Sequence, residues 1–541
     1  MRNRRLIASA AVPIVLAAAG CDGGGADRLA DRVVSIEIAE PASLLPTDVQ
    51  DPSGRQVLSG LFTPLAGIDR GGLPYEAAAE KIESTDNRVW TITLRDGFTF
   101  HNGEKVTADS YLAAWNFGAY GPHGQFDNYL FERIEGYPAL NPTDPDGTGP
   151  RPTPTPAERS LSGLRKLDDR TFRVTLTQPY REFEAALSFP AFYPLPSAAF
   201  EPGGAVRASY GQAPIGNGPF AMSGPWQHDQ KIEIRRYPGY AGPQRPAVGG
   251  VLFKVYDKPE SAYADVVAGR LDVLRRIPTA KLAHAAADLG NRVQRAPSSA
   301  IQLLAFPTFD PAFGRPEVRK AISMAIDRDE IATKVFHESQ HAATSFVPPV
   351  VAGYRADTCG DACVFNPTKA RALYASAGGP PRLTISYNVD GGHHDWVEAT
   401  CAQLRANLGV ECIGQGEPKF ADLLAKVARR QPVGAFRLGW VMDYPSMESY
   451  LSPLYSTAGS SNYYGYSNAE FDNLVRAGAA AATAEEAIRK YQLAEDLLAR
   501  DLPIMPLRYG QNTVGYSAKV RNVTVDPYSV IDVVKLEWAD S

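Results

Sequence analysis

The sequence predicts a protein of the α/β or α+β class with several domains. Short segments that alternate between apolar and polar residues, as half-buried strands do, are interleaved with segments of helical spacing. The chain has 541 residues, which is enough for two to four domains that each bury a core. Its apolar share of 44% and charged share of 21% are those of a globular protein.

Strands are predicted mainly in the first half of the chain. The first alternating segment covers residues 33–38, with the sequence V-V-S-I-E-I. Comparable segments cover residues 90–94, 172–176, 232–234, 251–255 and 410–413. Residues 141–156 are rich in proline, which predicts a surface loop outside the core.

Three helices are predicted in the second half. Residues 317–335 have apolar side chains at helical spacing and follow Pro316, which suits a helix start. A second helix covers residues 398–408 and ends at Gly409. A third covers residues 484–498, before the prolines of the segment L-P-I-M-P.

The N-terminus indicates export and lipid anchoring. Three arginines in the first five residues precede a mostly apolar stretch over residues 6–19, which is too short for a stable membrane span. Ala18-Ala19-Gly20 before Cys21 resembles a bacterial lipobox. We therefore expect a signal peptide over residues 1–20, a lipid on Cys21 and a flexible tether over residues 21–26. The alternative is an ordinary cleaved signal with an incidental cysteine.

Charge argues against nucleic acid or an anionic membrane surface as a partner. The formal net charge is -5, and it becomes -8 when the three arginines of residues 1–20 are removed with the signal. The membrane contact expected here is through the lipid on Cys21.

The remaining four cysteines predict two disulfides, since they are even in number and an exported protein folds in an oxidising compartment. Pairing Cys359 with Cys363 and Cys401 with Cys412 closes two short local loops. The alternative is a four-thiolate zinc site, but the usual pair of C-x-x-C motifs is absent from the sequence.

Seven segments, in a shared order between residues 33 and 530, resemble the family 5 extracytoplasmic solute-binding proteins, the peptide and nickel receptors of ABC importers. The segments are residues 40–46, 90–109, 215–220, 318–328, 439–445, 462–468 and 502–507. The most distinctive are W-T-I-T-L-R-D-G-F-T-F-H-N-G-E-K-V-T-A-D at residues 90–109 and G-W-V-M-D-Y-P at residues 439–445. The match is best to the dipeptide- and oligopeptide-binding branch.

The resemblance implies a two-lobed periplasmic-binding-protein fold of the flytrap type, with an extra domain on the first lobe. The expected division is domain I at residues 27–62, 192–300 and 508–541, domain II at residues 63–191, and domain III at residues 301–507. It also implies a monomer that catalyses nothing, needs no cofactor or metal, and delivers short peptides to an ABC permease. Receptors of this fold for haem, nickel, glutathione or another small solute are the alternative.

A zwitterionic peptide carries a charge at each end, and burying either charge without a partner is costly. The resemblance assigns the peptide ammonium to Asp443, which from local sequence alone would be a surface turn residue. Arg437 matches an arginine that helps bind ligand carboxylates, with an internal ion pair as the alternative. His393 matches a histidine near the ligand C-terminus, with helix capping beside Asp395 as the alternative.

The other expected contacts are to the ligand backbone and side chains. The resemblance places a strand edge for the peptide backbone at Gly439 and Val441. Trp440, Tyr444 and Tyr129 are expected to wall the cleft, although an aromatic residue such as Tyr129 could equally belong to a core.

A literal H-E-x-x-H motif at His337, Glu338 and His341 raises the alternative of a zinc metallopeptidase. On a helix this spacing places two imidazoles on one face, with the glutamate as general base. Here we expect the motif at the end of the predicted 317–335 helix, before Pro348, and without a third ligand nearby. We interpret it as a chance match.

Overall fold

The computed structural model describes residues 32–49, 51–69, 71–144, 153–337 and 339–539. The expected signal, the tether and the lipidated Cys21 lie outside the described residues. So do Glu338 and residues 145–152 of the proline-rich loop. Within the described part, no helix has the length and apolar character needed to cross a membrane.

Strands and helices alternate along most of the chain. The strands are β1 (Val33–Ile38), β2 (Ala66–Ile68), β3 (Pro74–Glu76), β4 (Ala79–Glu83), β5 (Val89–Leu94), β6 (Leu164–Lys166), β7 (Thr171–Thr175), β8 (Phe220–Met222), β9 (Lys231–Arg236), β10 (Gly250–Val255), β11 (Val273–Leu274), β12 (Val293–Ala305), β13 (Gln340–Ala342), β14 (Arg382–Asn388), β15 (Glu411–Glu417), β16 (Ala435–Trp440), β17 (Ile504–Tyr516), β18 (Val520–Arg521) and β19 (Glu537–Trp538).

The helices lie mostly in the second half, as the sequence predicts. They are α1 (Pro52–Leu61), α2 (Ala108–Ala119), α3 (Tyr137–Leu140), α4 (Phe183–Ala186), α5 (Pro259–Val267), α6 (Leu282–Leu289), α7 (Pro316–Met324), α8 (Arg328–Lys334), α9 (Pro367–Ser376), α10 (His394–Leu408), α11 (Phe420–Ala428), α12 (Glu448–Tyr455), α13 (Ala469–Ala479) and α14 (Ala484–Asp501).

One large mixed sheet connects the two lobes. Its strand order is β15-β14-β16-β12-β17-β11-β1-β10-β9-β8, and β13 pairs with β17 off this path. The long strands β12 and β17 pair antiparallel at its centre, and their register shifts between Pro297 and Ile301. Strands on one side of this pair belong to the segments assigned to domain I, and strands on the other side to domain III. On the predicted division, this pair is the main connection between the lobes.

A separate four-stranded sheet, β4-β5-β7-β6, lies within residues 63–191. It packs on α2 through a core rich in aromatic side chains, among them the fully buried Trp115 and Phe172. The domain boundaries drawn from the sequence remain a prediction, but this sheet has its own strand pairings and its own core.

The predicted strands are present, each within a few residues of its expected bounds. The helices predicted at residues 398–408 and 484–498 are also present, and both are longer than expected. The prediction of one helix over residues 317–335 was wrong. The segment is divided into α7 and α8, because the side chain of Asp327 accepts the backbone N–H of Glu330 at 2.9 Å and caps a new helix.

Both predicted cysteine pairs are bonded. Cys359 and Cys363 have Cα atoms 5.6 Å apart, and the Cα atoms of Cys401 and Cys412 are 5.0 Å apart. The second bond joins α10 to β15, and so it holds a helix against the outermost strand of the large sheet.

Candidate functional site

Three parallel strands end at the same edge of the large sheet. β14 pairs parallel with β15 and with β16, so Asn388, Glu417 and Trp440 lie at this edge. In open α/β sheets, ligands bind outside the carboxyl ends of the strands. Residues 441–443 continue from β16 at this edge, which makes it the candidate binding site.

The backbone of β16 is uncovered on one side at this edge. β12 pairs with β16 from Phe436 to Trp440, but β14 reaches only Ala435 and Phe436. Among the described strands, nothing pairs with the β14 side of β16 beyond Phe436. A side chain at Gly439 would come within 3.0 Å of the Gln302 amide. Glycine at this position therefore leaves room for the Gln302 side chain of the paired strand β12.

Asp443 lies where the two lobes meet. The hydroxyl of Tyr129, in the 3-10 helix Phe126–Phe131, donates to Asp443 Oδ1 at 3.2 Å. The backbone N–H of Asp443 donates to Ser449 Oγ at 2.8 Å, and Tyr528 Oη donates to the Asp443 carbonyl oxygen at 3.4 Å. The structure thus brings together Tyr129 and Asp443, which are 314 residues apart in sequence.

A second carboxyl group and an arginine surround this pair. Asp127 is buried and accepts the backbone N–H of Val49 at 3.0 Å. The guanidinium of Arg55 stacks on the rings of Tyr528 at 4.2 Å and Phe189 at 4.5 Å. Within the described residues no lysine, arginine or histidine is within ion-pair distance of Asp443.

Burial raises the pKa of Asp443 to about 7, against the opposing effects of the Arg55 charge and the Tyr129 hydrogen bond. The nearby charge of Glu448 adds to the increase. Burial also raises the pKa of Asp127 to about 8, and the charge of Asp443 contributes in the same direction. The site therefore favours a bound cation, because a positive charge would stabilise the ionised carboxylates.

A cavity of about 420 Å³ opens beside Asp443, between residues 129–192 on one side and residues 443–479 on the other. Its wall contains a buried ion pair, in which Arg133 Nη2 donates to Glu448 Oε1 at 2.5 Å. Tyr180 and Tyr444 both donate to Glu448 Oε2, and Arg133 lies over the Tyr180 ring. This network joins the two sides of the cavity.

The predicted wall residues take different positions. Tyr129 and Tyr444 line the cavity. Tyr444 is nearly buried, at 7% exposure, and it also packs against the core of the four-stranded sheet. The Trp440 indole donates to the Ser449 carbonyl at 2.7 Å and is partly buried, whereas Val441 is exposed. Contact of these four residues with a ligand stays a prediction.

Arg437 and His393 lie on another part of the same edge, near the end of β14. Arg437 Nε donates to Asn388 Oδ1 at 2.6 Å, and its guanidinium stacks on Phe420 at 4.0 Å. His393 Nδ1 accepts the indole N–H of Trp396 at 3.1 Å, and His393 directly precedes α10 without capping it through its side chain. His393 thus holds the N-cap position that the capping alternative gives it, but its side chain makes no capping hydrogen bond, and the roles of both residues toward a ligand stay predictions.

The expectation that His337 and His341 end a helix was wrong. α8 ends at Lys334, His337 has a left-handed backbone with φ of 47°, and His341 lies in β13. His341 Nε2 is 2.9 Å from Gln511 Nε2. Among the described residues no group of three or more His, Cys, Asp or Glu side chains is arranged to hold a metal ion. The helical spacing that gives H-E-x-x-H its chemistry is not formed.

Sequence reasoning did not find several residues around Asp443. Arg55, Asp127, Tyr528 and Glu448 come from four separate segments and carry no local motif. No local signal could have found them: Arg55 and Asp127, for example, stand in the polar contexts S-G-R-Q and F-D-N.

A sheet shared by two lobes, with an uncovered strand edge and a charged cavity between them, defines a two-lobed binding protein. The chain belongs to family 5 of the bacterial extracellular solute-binding proteins, since the model of "Bacterial extracellular solute-binding proteins, family 5 Middle" matches residues 74–462. It is a solute-binding protein and not an enzyme.

Individual relatives are similar over almost the whole chain. The oligopeptide-binding protein OppA of Bacillus subtilis is 25% identical over 525 residues, covering 92% of each chain. The structure of the murein tripeptide binding protein MppA of Escherichia coli matches with a TM-score of 0.76 and 23% identity, over 93% of this chain and 98% of that one. Haemophilus influenzae OppA in complex with RPPGFSPFR matches with a TM-score of 0.73 and 23% identity, over 94% and 98%. These structures share the α/β, multidomain fold of periplasmic binding proteins.

Proposed function

We propose that this protein captures short peptides between its lobes and delivers them to an ABC import permease. The observation that carries the proposal is Asp443, a buried carboxylate between the lobes with no lysine, arginine or histidine within ion-pair distance among the described residues, although the charge of Arg55 acts on it from further away. A peptide ammonium would supply the missing positive charge, and burial of an unpaired carboxylate is otherwise costly. The names of the relatives, which include oligopeptide- and murein-peptide-binding proteins, support the same ligand class.

The remaining contacts follow from the same edge of the sheet. The uncovered side of β16 at Gly439 and Val441 offers main-chain groups to an extended peptide, which gives affinity without dependence on sequence. Arg437 takes the peptide carboxylate, and the cavity beside Asp443 takes a side chain with water filling the remaining space. The lipid on Cys21 keeps the receptor at the outer side of the membrane, near the permease.

Native mass spectrometry of the purified protein tests the proposal, together with calorimetric titration of trialanine and N-acetyl-trialanine. We expect the native protein to carry copurified peptides and to bind trialanine but not its acetylated form. Copurified nickel, haem or glutathione, with no binding of trialanine or longer alanine peptides, would instead establish one of the other small-solute receptors.

A further inference from the structure

Arg508 is a buried arginine whose terminal nitrogens are unused. It is 5% exposed, its Nε donates to Gln340 Oε1, and its guanidinium lies 4.2 Å from the Phe336 ring and 4.8 Å from the Trp396 ring. Within the described residues neither terminal nitrogen donates a hydrogen bond, and no carboxylate is within ion-pair distance. Neither nitrogen is among the fully enclosed polar atoms without a partner, so each keeps some accessible surface.

Two other buried arginines show how this chain normally satisfies such a group. Arg319 donates to four backbone carbonyl oxygens. Arg328 donates to three carbonyl oxygens and a serine hydroxyl. A buried guanidinium without comparable partners is costly, so Arg508 differs from an ordinary structural arginine.

Arg508 lies on the same face of the sheet as Arg437. Arg437 pairs with Leu304 of β12, and Arg508 pairs with Gln302 of the same strand. Leu304 and Gln302 are two positions apart, so they and their partners share a face. Burial and the positive charge of Arg437 lower the pKa of Arg508 to about 9. The positive charges of the two guanidinium groups therefore repel each other at the edge of the sheet where the ligand is expected.

We propose that Arg508 is a specificity residue that, with Arg437, selects peptides carrying a second carboxylate beside the C-terminal one. A guanidinium group can bind a carboxylate through two parallel hydrogen bonds. Two carboxylates in the ligand would also relieve the repulsion between the two arginines. The preferred ligands are therefore peptides that end in aspartate or glutamate. The inference rests on the proposed function, because it requires Arg437 to hold the C-terminal carboxylate.

The test compares the peptides Ala-Ala-Glu and Ala-Ala-Gln, which have nearly the same size and differ by one charge. We expect the wild-type protein to bind the glutamate peptide roughly tenfold or more tightly, because a charge-assisted hydrogen bond is worth at least that factor. Arg508→Gln should remove this preference by weakening binding of Ala-Ala-Glu far more than binding of Ala-Ala-Gln, and Arg508→Lys should keep part of the preference. Arg382→Gln, a substitution of an exposed arginine at the start of β14, is the matched control and should behave as wild type.

Equal binding of both peptides by the wild-type protein would overturn the specificity role while leaving the proposed function intact. Full preference in a folded Arg508→Gln variant would also overturn it. If that variant does not fold, the wild-type preference and the Arg508→Lys variant decide the matter. Binding of neither peptide by the wild-type protein would refute the proposed function, and the specificity role with it.

Discussion

Asp443→Asn should abolish most of the affinity for free-amine peptides while keeping the protein folded. Asparagine retains the oxygen that accepts the Tyr129 hydrogen bond and changes only the charge. Because the Asp443 carboxylate carries the negative charge assigned to the ligand ammonium, the ammonium would lose its principal partner. A charged pair of this kind is worth about 2–5 kcal/mol, so the affinity for trialanine should fall by roughly 30-fold to several thousandfold.

The same substitution should not lower stability, which separates a binding role from a structural one. Burial disfavours the ionised form of Asp443, and the charge of Glu448 repels it, so a neutral amide relieves these costs. We expect an unchanged or higher Tm, measured in parallel with calorimetric titration of trialanine. Asp422→Asn, at an exposed position on α11, is the control. Trialanine affinity within threefold of wild type in the Asp443→Asn variant would refute the reasoning.

Two further predictions concern pH and shape. The pKa of Asp443 is about 7 in the free protein, and an ammonium ligand requires the ionised form. Below pH 7 a proton must therefore leave Asp443 on binding, which by itself lowers the affinity for trialanine about tenfold between pH 8 and pH 6. The trialanine amine has a pKa of about 8 and gains its proton over the same range, so the net fall should be about fivefold. A flat calorimetric profile over this range would contradict the assignment. Peptide should also favour the closed arrangement of the lobes, so small-angle scattering should show a smaller radius of gyration at saturating trialanine. An unchanged profile would count against closure on the ligand.

The sequence was a good guide wherever the determinants are local. The alternation of V-V-S-I-E-I predicts β1 with its observed bounds, since burial of one face needs only neighbouring residues. The break between α7 and α8 also has a local signal, the D-R-D-E capping pattern at Asp327. The apolar residues continue at helical spacing across this break, and so the sequence predicted one helix.

The site could be predicted only in part. Asp443 was assigned through a resemblance in G-W-V-M-D-Y-P, and the structure places it between the lobes with Tyr129. Arg55, Asp127 and Tyr528 come close to Asp443 only through long-range packing. The periodicity of the sequence does not predict such contacts. Arg508 was not recognised either, because its unusual feature is the lack of partners for its terminal nitrogens in three dimensions.

The position of β17 in the large sheet has a consequence for how the chain acquires its structure. This strand belongs to the last forty residues or so of the chain, yet it lies between β12 and β11, at the centre of the sheet. Its neighbours β12 and β11 precede it by about two hundred residues, so these contacts are highly non-local and form slowly. Neither lobe can complete its sheet until the C-terminal segment has been synthesised. A nascent chain of this protein therefore stays incompletely folded until β17 has been synthesised.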